Sequence, residues 1–236
     1  MSMRDYLLEA TKDFSIRLTE TQLSQLERYH ELLAEWNEKI NLTAITDDMG
    51  VAVKHFADSM TVFHYIDIPQ GAKIIDVGTG AGFPGLVLKI VRPDIQLTLL
   101  DSLQKRLNFL GIVLKELSLD AELIHARAEE GGQNDSLREC FDFAVSRAVA
   151  QLNVLSEFCL PYVRLSGQFI AFKGNADGEV QASKKAIGIL GGKVASIHRF
   201  DLPLDGGARM LVAIEKEQPT PAKYPRPYGK IKTKPL

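Results

Sequence analysis

The first 66 residues carry their apolar side chains at a helical period. One apolar stripe contains Leu23, Leu26, Leu32, Leu33, Trp36 and Ile40. Thr19 and Gln22 stand just before it in the spacing of a capping box, in which the two side chains satisfy free N–H groups at the helix start. We therefore expect a long helix that begins beside Thr19, followed by a second helix over residues 51–65.

From residue 72 the pattern changes to short buried runs that alternate with amphipathic segments. The runs predict strands over residues 73–77, 95–100, 122–126, 141–146, 168–173, 193–199 and 209–215. The segments between them predict helices over residues 86–91, 103–117, 149–160 and 180–190. Strands and helices alternate through most of this region, which is typical of a mostly parallel sheet built from right-handed crossovers. The last two strands are joined only by a turn around Gly206, so this final pair must be antiparallel.

Composition limits the class of protein. The chain has 236 residues, of which 45% are hydrophobic and 25% charged, as in ordinary globular proteins. We expect a single α/β domain over residues 71–218 with an N-terminal helical extension over residues 1–70. No apolar run approaches the roughly 18 residues of a membrane span. We therefore expect no membrane segment. Cys140 and Cys159 lie in no metal-ligand pattern, so we expect no metal site. Two such cysteines are typical of reduced thiols in the cytoplasm, where we expect the protein to be.

The charge is unevenly distributed. Residues 219–236 contain basic residues and no acidic ones: Lys223, Arg226, Lys230, Lys232 and Lys234. The formal net charge of −2 for the whole chain therefore leaves −7 for residues 1–218. The same tail is rich in proline, which disfavours helices and core strands. The sequence predicts an extended basic tail, which is either a solvated terminus or an arm that contacts RNA phosphates. The competing possibility is that the tail packs back on the sheet and stabilises the fold.

A glycine-rich turn follows the first predicted strand. It contains Gly78, Gly80, Gly82 and Gly85, which permit a tight turn and a close approach of backbone N–H groups to a ligand. Glycines in this arrangement also fit dinucleotide binding. Asp76, just before the turn, would repel a pyrophosphate but suit a cationic ligand. That preference, together with the antiparallel end of the sheet, points to S-adenosylmethionine rather than NAD.

Asp101 closes the second predicted strand. A carboxylate at that position can accept hydrogen bonds from both hydroxyls of a ribose. The alternative is that Asp101 caps the next helix together with Ser102. We expect Asp101 and Ser102 to lie in the cofactor site.

The glycine segment Asp76-Val-Gly-Thr-Gly-Ala-Gly-Phe-Pro-Gly85 resembles the first motif of the RsmG family, also called GidB. These are bacterial small-subunit rRNA guanine-N7 methyltransferases. Supporting segments are Trp36–Ile45, Leu100–Arg106, Ala126–Glu130, Ser146–Val149 and a basic end at Gly229–Leu236. The Phe-Pro pair and the Trp36–Ile45 segment make the resemblance more specific than glycines alone.

The resemblance implies a class I, Rossmann-like methyltransferase fold with a mostly parallel seven-stranded sheet. It implies S-adenosylmethionine as methyl donor and a guanosine in the decoding-region loop of 16S rRNA as acceptor. By position, Gly78 and Phe83 would line the methionine and ribose part of the donor. Ala128 and Glu129 would hold the adenine, and Arg147 would face the methionine end. We expect a monomer whose partner is 16S rRNA, free or within a ribosomal particle.

The reaction implied by the resemblance needs no general base. Guanine N7 carries a lone pair and no proton, so it can attack a sulfonium methyl directly once the atoms are aligned. We therefore name no catalytic residue.

Other reactions make other demands. Cytosine-C5 transfer needs a cysteine nucleophile, and neither cysteine stands at the expected site. Transfer to a ribose 2′-hydroxyl needs a base, and Lys173 at the end of the fifth strand could serve. Lys173 could equally hold an RNA phosphate or the guanine, as could the basic residues of the tail. A non-catalytic RNA-binding assembly protein and, more remotely, a dinucleotide oxidoreductase remain open.

Overall fold

The computed structural model describes residues 1–147, 150–174 and 176–236. At its centre lies one seven-stranded sheet of order β3-β2-β1-β4-β5-β7-β6. The strands are β1 (Lys73–Val77), β2 (Gln96–Asp101), β3 (Glu122–His125), β4 (Phe141–Arg147), β5 (Val163–Lys173), β6 (Gly192–Leu202) and β7 (Gly207–Lys216). Each predicted strand is confirmed, and β5 and β6 are longer than expected.

Strand direction follows the prediction. β1 pairs in parallel with β2 and β4, β2 with β3, and β4 with β5. β7 inserts between β5 and β6 and is antiparallel to both. Because the strand order reverses between β1 and its neighbours β2 and β4, a crevice opens at the carboxyl ends of these strands.

Helices cover both faces of the sheet. They are α1 (Met3–Lys12), α2 (Glu20–Ile40), α3 (Asp48–Gly50), α4 (Asp58–Met60), α5 (Val62–Tyr65), α6 (Gly85–Val91), α7 (Gln104–Glu116), α8 (Ala128–Gly131), α9 (Leu152–Cys159), α10 (Asp177–Ile189) and α11 (Tyr228–Thr233). A π-helical stretch, Val51–Ala57, joins α3 to α4, and a 3₁₀ turn, Leu160–Tyr162, precedes β5. Residues 51–65 are thus helical as predicted, but they begin with a π-helical stretch and continue as two short α-helices. The first residue of the predicted helix 149–160 lies outside the described residues.

The N-terminal helices share a hydrophobic core with the sheet. Thr19 and Gln22 form the predicted capping box at the start of α2. The Gln22 amide also donates to the carbonyls of Ile90 (3.2 Å) and Val91 (2.8 Å) at the end of α6. Tyr29 is fully buried and donates its hydroxyl to the Ala81 carbonyl. The extension is therefore packed directly against the glycine-rich loop.

The start of α7 differs from the prediction. Ser102 does not cap the helix; Leu103 occupies the N-cap position without a side-chain cap. Asp101 instead satisfies a free backbone N–H group at this end of the helix, because its Oδ1 accepts a hydrogen bond from the Leu103 amide at 2.8 Å. The Ser102 side chain is left exposed at the mouth of the crevice.

The prediction of an extended tail is wrong. Residues 224–236, which we call the C-terminal segment, fold back on α9 and end in the short helix α11. Tyr224 and Ile231 are buried there, and the Arg226 side chain pairs with the buried Glu157 at 2.7 Å. The prolines do not prevent the helix, because Pro227 stands at its N-cap and Pro235 follows it.

In the part of the chain that the structure describes, none of the helices is long and apolar enough to cross a membrane.

Candidate active site

A cavity of about 760 Å³ lies at the carboxyl ends of β1, β2, β4 and β5. This is within the range of small-molecule sites and at the position where open α/β sheets bind ligands. Its wall includes these residues predicted for the site: Gly78, Gly80, Phe83, Asp101, Ser102, Ala128, Glu129, Arg147 and Lys173. The sheet topology therefore brings together residues that are far apart in the sequence.

The glycine-rich loop shapes the inner wall. Gly78 and Gly80 have φ values of +74° and +61°, which L side chains rarely adopt. The amides of Gly78 and Thr79 both donate to the Leu100 carbonyl, at 2.9 and 3.1 Å. These bonds fix the loop against the end of β2. Gly82 faces the other way, since a Cβ there would lie 2.5 Å from the Tyr29 hydroxyl oxygen.

Asp76 lies beneath the loop and is completely buried. Its Oδ2 accepts hydrogen bonds from the Thr79 hydroxyl (2.8 Å) and the Gly85 amide (2.9 Å). Burial raises the pKa of Asp76 to about 6. Neither Asp76 nor Gly82 forms part of the described cavity wall. Asp76 holds the loop, and Gly82 packs it onto Tyr29, while the ligand contact expected of both stays a prediction.

Asp101 links three parts of the wall. Its side chain is 2% exposed, and its Oδ2 accepts hydrogen bonds from the Gly80 amide (2.9 Å) and Arg106 Nη1 (3.3 Å). With the Leu103 amide on Oδ1, three of about four acceptor positions of the carboxylate are in use. The Arg106 bond is the longest, and its side chain is one-third exposed, so it is the contact that a ligand hydroxyl could most readily replace.

Ala128 and Glu129 begin the short helix α8 on one side of the cavity. Glu129 is 8% exposed. Phe158 on α9 and Tyr228 on α11 complete this side. Neither aromatic residue was predicted to lie in the site, because Phe158 and Tyr228 fall outside the motifs that carry the resemblance.

The opposite side is an aromatic and polar stack. The His55 ring lies parallel to Phe83, with centroids 4.4 Å apart and an interplanar angle of 16°. The Arg147 guanidinium carbon lies 5.0 Å from the centroid of the same phenyl ring. Phe83 is in turn stacked on Tyr29, with centroids 5.4 Å apart. The extension thus supplies part of the active-site wall.

Asp58 holds two arginines at this side. It is 4% exposed and pairs with Arg147 Nη1 at 2.8 Å and Arg209 Nε at 3.3 Å. Arg147 Nη1 also donates to the Lys54 carbonyl at 3.0 Å. Because Asp58 comes from the helical extension and Arg209 from β7, this carboxylate joins the extension to the sheet.

His55 remains neutral in this environment. Burial, and next the charge of Arg147, lower the pKa of His55 to about 3. Its Nδ1 lies 3.3 Å from Arg147 Nη2, which can only donate, so the proton of the neutral ring belongs on Nε2. Nε2 then donates to the Thr43 hydroxyl at 2.8 Å. The position of His55 beside Phe83 was not predicted from the sequence.

Lys173 lines the cavity but is already paired. Its ammonium lies 2.9 Å from the Ala150 carbonyl oxygen and 2.8 Å from Glu179 Oε2. Ala148, Val149 and Asn175, near it along the chain, lie outside the described residues. The other basic residues predicted to contact RNA lie away from this wall: Arg226, Lys230, Lys232 and Lys234. Of these, Arg226 is occupied by Glu157, whereas the three lysines are exposed.

In the described ranges, no group of three or more His, Cys, Asp or Glu side chains could hold a metal ion. Cys159 is buried, and Cys140 lies at the opposite end of the sheet, beside Lys73 and Gln96.

The fold and cavity define the class: a class I methyltransferase that uses S-adenosylmethionine as methyl donor. Among solved structures, a methyltransferase from Pyrococcus furiosus matches with a TM-score of 0.56 at 14% identity, covering 83% of this chain and 99% of that one. A SAM-dependent O-methyltransferase from Thermotoga maritima matches with a TM-score of 0.53 at 18% identity, covering 80% and 73% of the two chains. At these identities the likeness concerns the fold.

The chain belongs to the rRNA small subunit methyltransferase G family, GidB, whose family model matches residues 22–205. A protein named ribosomal RNA small subunit methyltransferase G in Desulforamulus reducens is 50% identical over 232 residues, which is 98% of this chain and 97% of that one. Its namesake in Acetivibrio thermocellus is 47% identical over 237 residues, covering 100% and 98% of the two chains. The family resemblance inferred from the motifs is confirmed.

Proposed function

We propose that the enzyme transfers a methyl group from S-adenosylmethionine to N7 of a guanosine in 16S rRNA. The observation that carries this proposal is the state of the polar groups at the Phe83 side of the cavity. Among the described residues there, His55 is neutral and bonded at both nitrogens, Asp58 is paired with two arginines, and Lys173 is paired with Glu179. None of these three is poised to remove a proton, which suits an attacking atom that carries none.

The residues present fit the donor. The cavity is large enough for a nucleoside with an amino-acid tail, and Asp101 offers a buried carboxylate at the end of β2, where a ribose is bound in this type of fold. The positive φ values of Gly78 and Gly80 keep that stretch of wall free of side chains. We place the adenine beside Ala128 and Glu129, the ribose at Asp101 and Ser102, and the methionine part towards Phe83 and Arg147.

The protein contributes chiefly by alignment. When bound, S-adenosylmethionine supplies an electrophilic methyl group on a sulfonium. The loop at Gly78 and Gly80 and the carboxylate of Asp101 fix the direction of that methyl group, so that the acceptor nitrogen can approach in line. Positive charge passes from the donor to the purine during transfer, so oxygen acceptors placed near the purine would lower the energy of that charge. Phe83 and His55 are stacked on each other and buried, so they form a fixed wall on this side of the cavity.

The runner-up reaction, transfer to a ribose 2′-hydroxyl, requires a general base. Lys173 was its candidate. Its side-chain nitrogen is already engaged by Glu179 and by the Ala150 carbonyl, so it is not directed at a substrate hydroxyl. The arrangement therefore favours N7 over a hydroxyl acceptor.

We further propose that the substrate is 16S rRNA within a ribosomal particle, and that the protein acts as a cytoplasmic monomer. The net charge of −2 and the internal pairing of Arg226, Arg147 and Arg209 leave little bulk attraction for naked RNA. The large exposed apolar side chains among the described residues are scattered over different elements, as is usual for a monomer.

Mapping of modified nucleotides tests the reaction. Treatment with borohydride and then aniline cleaves the RNA chain at an N7-methylated guanine, so the position of that guanine appears as a strand break in extracted 16S rRNA. We expect one break to disappear from a strain that lacks the gene and to return with the wild-type gene. Unchanged breaks, or the loss of a ribose 2′-O-methyl group instead, would contradict the proposal. Methylation of purified small subunits and of protein-free 16S rRNA, compared in vitro, tests the choice of substrate.

A further inference from the structure

Tyr228, the first residue of α11, stands at the edge of the cavity. Its ring lies nearly parallel to that of Phe158, with centroids 6.4 Å apart and an interplanar angle of 13°. The Arg127 guanidinium carbon lies 5.3 Å from its centroid. Both neighbours also line the cavity. Yet Tyr228 is 43% exposed, one of the most exposed large aromatic side chains described. An aromatic ring left open at a cavity wall is available to a ligand.

The C-terminal segment holds this ring firmly in place. The Arg226 guanidinium and amide both donate to Glu157, which is 1% exposed at its side chain. Arg138 donates to the Tyr224 carbonyl at 2.8 Å, and the Gln133 amide donates to the Pro225 carbonyl at 2.9 Å. These contacts attach residues 224–226 to two parts of the protein, the connection between β3 and β4 and the helix α9. The backbone before Tyr228 is therefore pre-set, and only its side chain is free to meet a ligand.

The position selects the part of the ligand that Tyr228 would meet. Ala128 and Glu129, on the same side of the cavity, are where we place the adenine. An adenine offers a flat face for stacking and a polar edge for hydrogen bonds. Arg127 and Glu129 carry charges that suit a polar edge, whereas Tyr228 and Phe158 offer ring surface.

We propose that the C-terminal segment is part of the methyl-donor site and that Tyr228 covers the adenine of S-adenosylmethionine. This inference rests on the proposed placement of the donor in the cavity, but it does not depend on which RNA atom receives the methyl group. It gives residues 224–236 a function in donor binding. The sequence had suggested an RNA-contacting arm, a solvated tail or a segment packed on the sheet, none of which binds the donor.

Calorimetric titration of the full-length protein, without RNA, tests the proposal. Tyr228→Ala should bind S-adenosylmethionine about tenfold more weakly, the scale of losing one base–aromatic stack. The same fold loss should appear for 5′-methylthioadenosine, measured by competition, because this probe keeps the adenine and lacks the amino-acid part. Tyr228→Phe keeps the ring and should bind both ligands as the unchanged protein does. Lys232→Ala, an exposed change on the same helix, is the matched control.

Thermal unfolding of each variant separates folding from binding, and we expect Tyr228→Ala to melt with the unchanged protein because its side chain is half exposed. Donor affinity unchanged in Tyr228→Ala would overturn the proposal, whether or not RNA methylation falls. So would a loss seen with S-adenosylmethionine but not with 5′-methylthioadenosine, which would place Tyr228 at the methionine end. Failure of guanine-N7 methylation in the mapping experiment would leave these titrations unaffected, so the two proposals fail separately.

Discussion

Replacing Arg226 with alanine should strongly destabilise the fold. The Arg226 guanidinium donates two hydrogen bonds to Glu157, from Nε to Oε1 at 2.9 Å and from Nη2 to Oε2 at 2.7 Å. The Glu157 side chain is only 1% exposed, so removing Arg226 leaves a carboxylate without its charge partner inside the protein. Breaking one side of a buried ion pair costs about 3–5 kcal/mol. We expect the lower part of that range, because the backbone amide of residue 226 still donates to Glu157 Oε1.

Urea unfolding followed by circular dichroism measures this loss. Lys230→Ala is the matched control, because it removes one positive charge from the exposed face of the same segment. Its free energy of unfolding should stay within about 0.5 kcal/mol of the unchanged protein. Adding Glu157→Gln to Arg226→Ala should recover part of the loss, because no buried charge then remains. If Arg226→Ala proves as stable as the Lys230→Ala control, the C-terminal segment is the free basic arm that the sequence suggested.

Three further predictions concern the cavity. Gly78→Val should abolish binding of S-adenosylmethionine while leaving the circular dichroism spectrum intact, because a side chain at φ +74° distorts the loop and fills ligand space; unchanged affinity would misplace the site. Asp101→Ala should weaken donor binding by about 1–3 kcal/mol. The loss of affinity should be smaller for donor analogues that lack the ribose hydroxyls. Arg106→Gln should not weaken donor binding. His55 should show no NMR titration between pH 5 and 8, and a measured pKa near 6.5 would refute this. The contribution of His55 to the free energy of unfolding should increase as the pH rises from about 3, its pKa in the folded protein, to 6.5, its ordinary pKa, because only the unfolded chain binds the proton in that range.

The sheet and the cavity floor could be predicted from local sequence. Alternating strands and helices indicate a mostly parallel sheet, and the short turn at Gly206 forces the last pair to be antiparallel. The strand order itself, with β7 between β5 and β6, did not follow from the local pattern. Asp101 and the glycines of the loop follow strand ends, and parallel strands bring their carboxyl ends to one edge. Their convergence on one cavity was therefore predictable.

What could not be predicted depends on distant partners. Glu157 lies in an apolar helix, and nothing near it in sequence indicates that Arg226 will neutralise it. The charge of the tail therefore suggested a solvated arm. His55 and Asp58 lie in an irregular helical segment, and their roles depend on Arg147 and Arg209 arriving from two strands.

Asp76 shows a different limit. Its place before the loop was evident, but its direction was not: a strand residue faces one side or the other of the sheet end, and here it faces the core beneath the loop. Gly82 is similar, because its missing side chain makes room for Tyr29 rather than for a ligand.

The chemical identity of the methylated nucleoside tests the central claim most directly. Small ribosomal subunits from a strain that lacks the gene would be incubated with the purified protein and isotope-labelled S-adenosylmethionine. Their 16S rRNA would then be digested to nucleosides and analysed by mass spectrometry. The account predicts that the label appears in 7-methylguanosine, and that Gly78→Val protein yields none. Label in a 2′-O-methylated nucleoside or in 5-methylcytidine, or no label with active donor-binding protein, would contradict it.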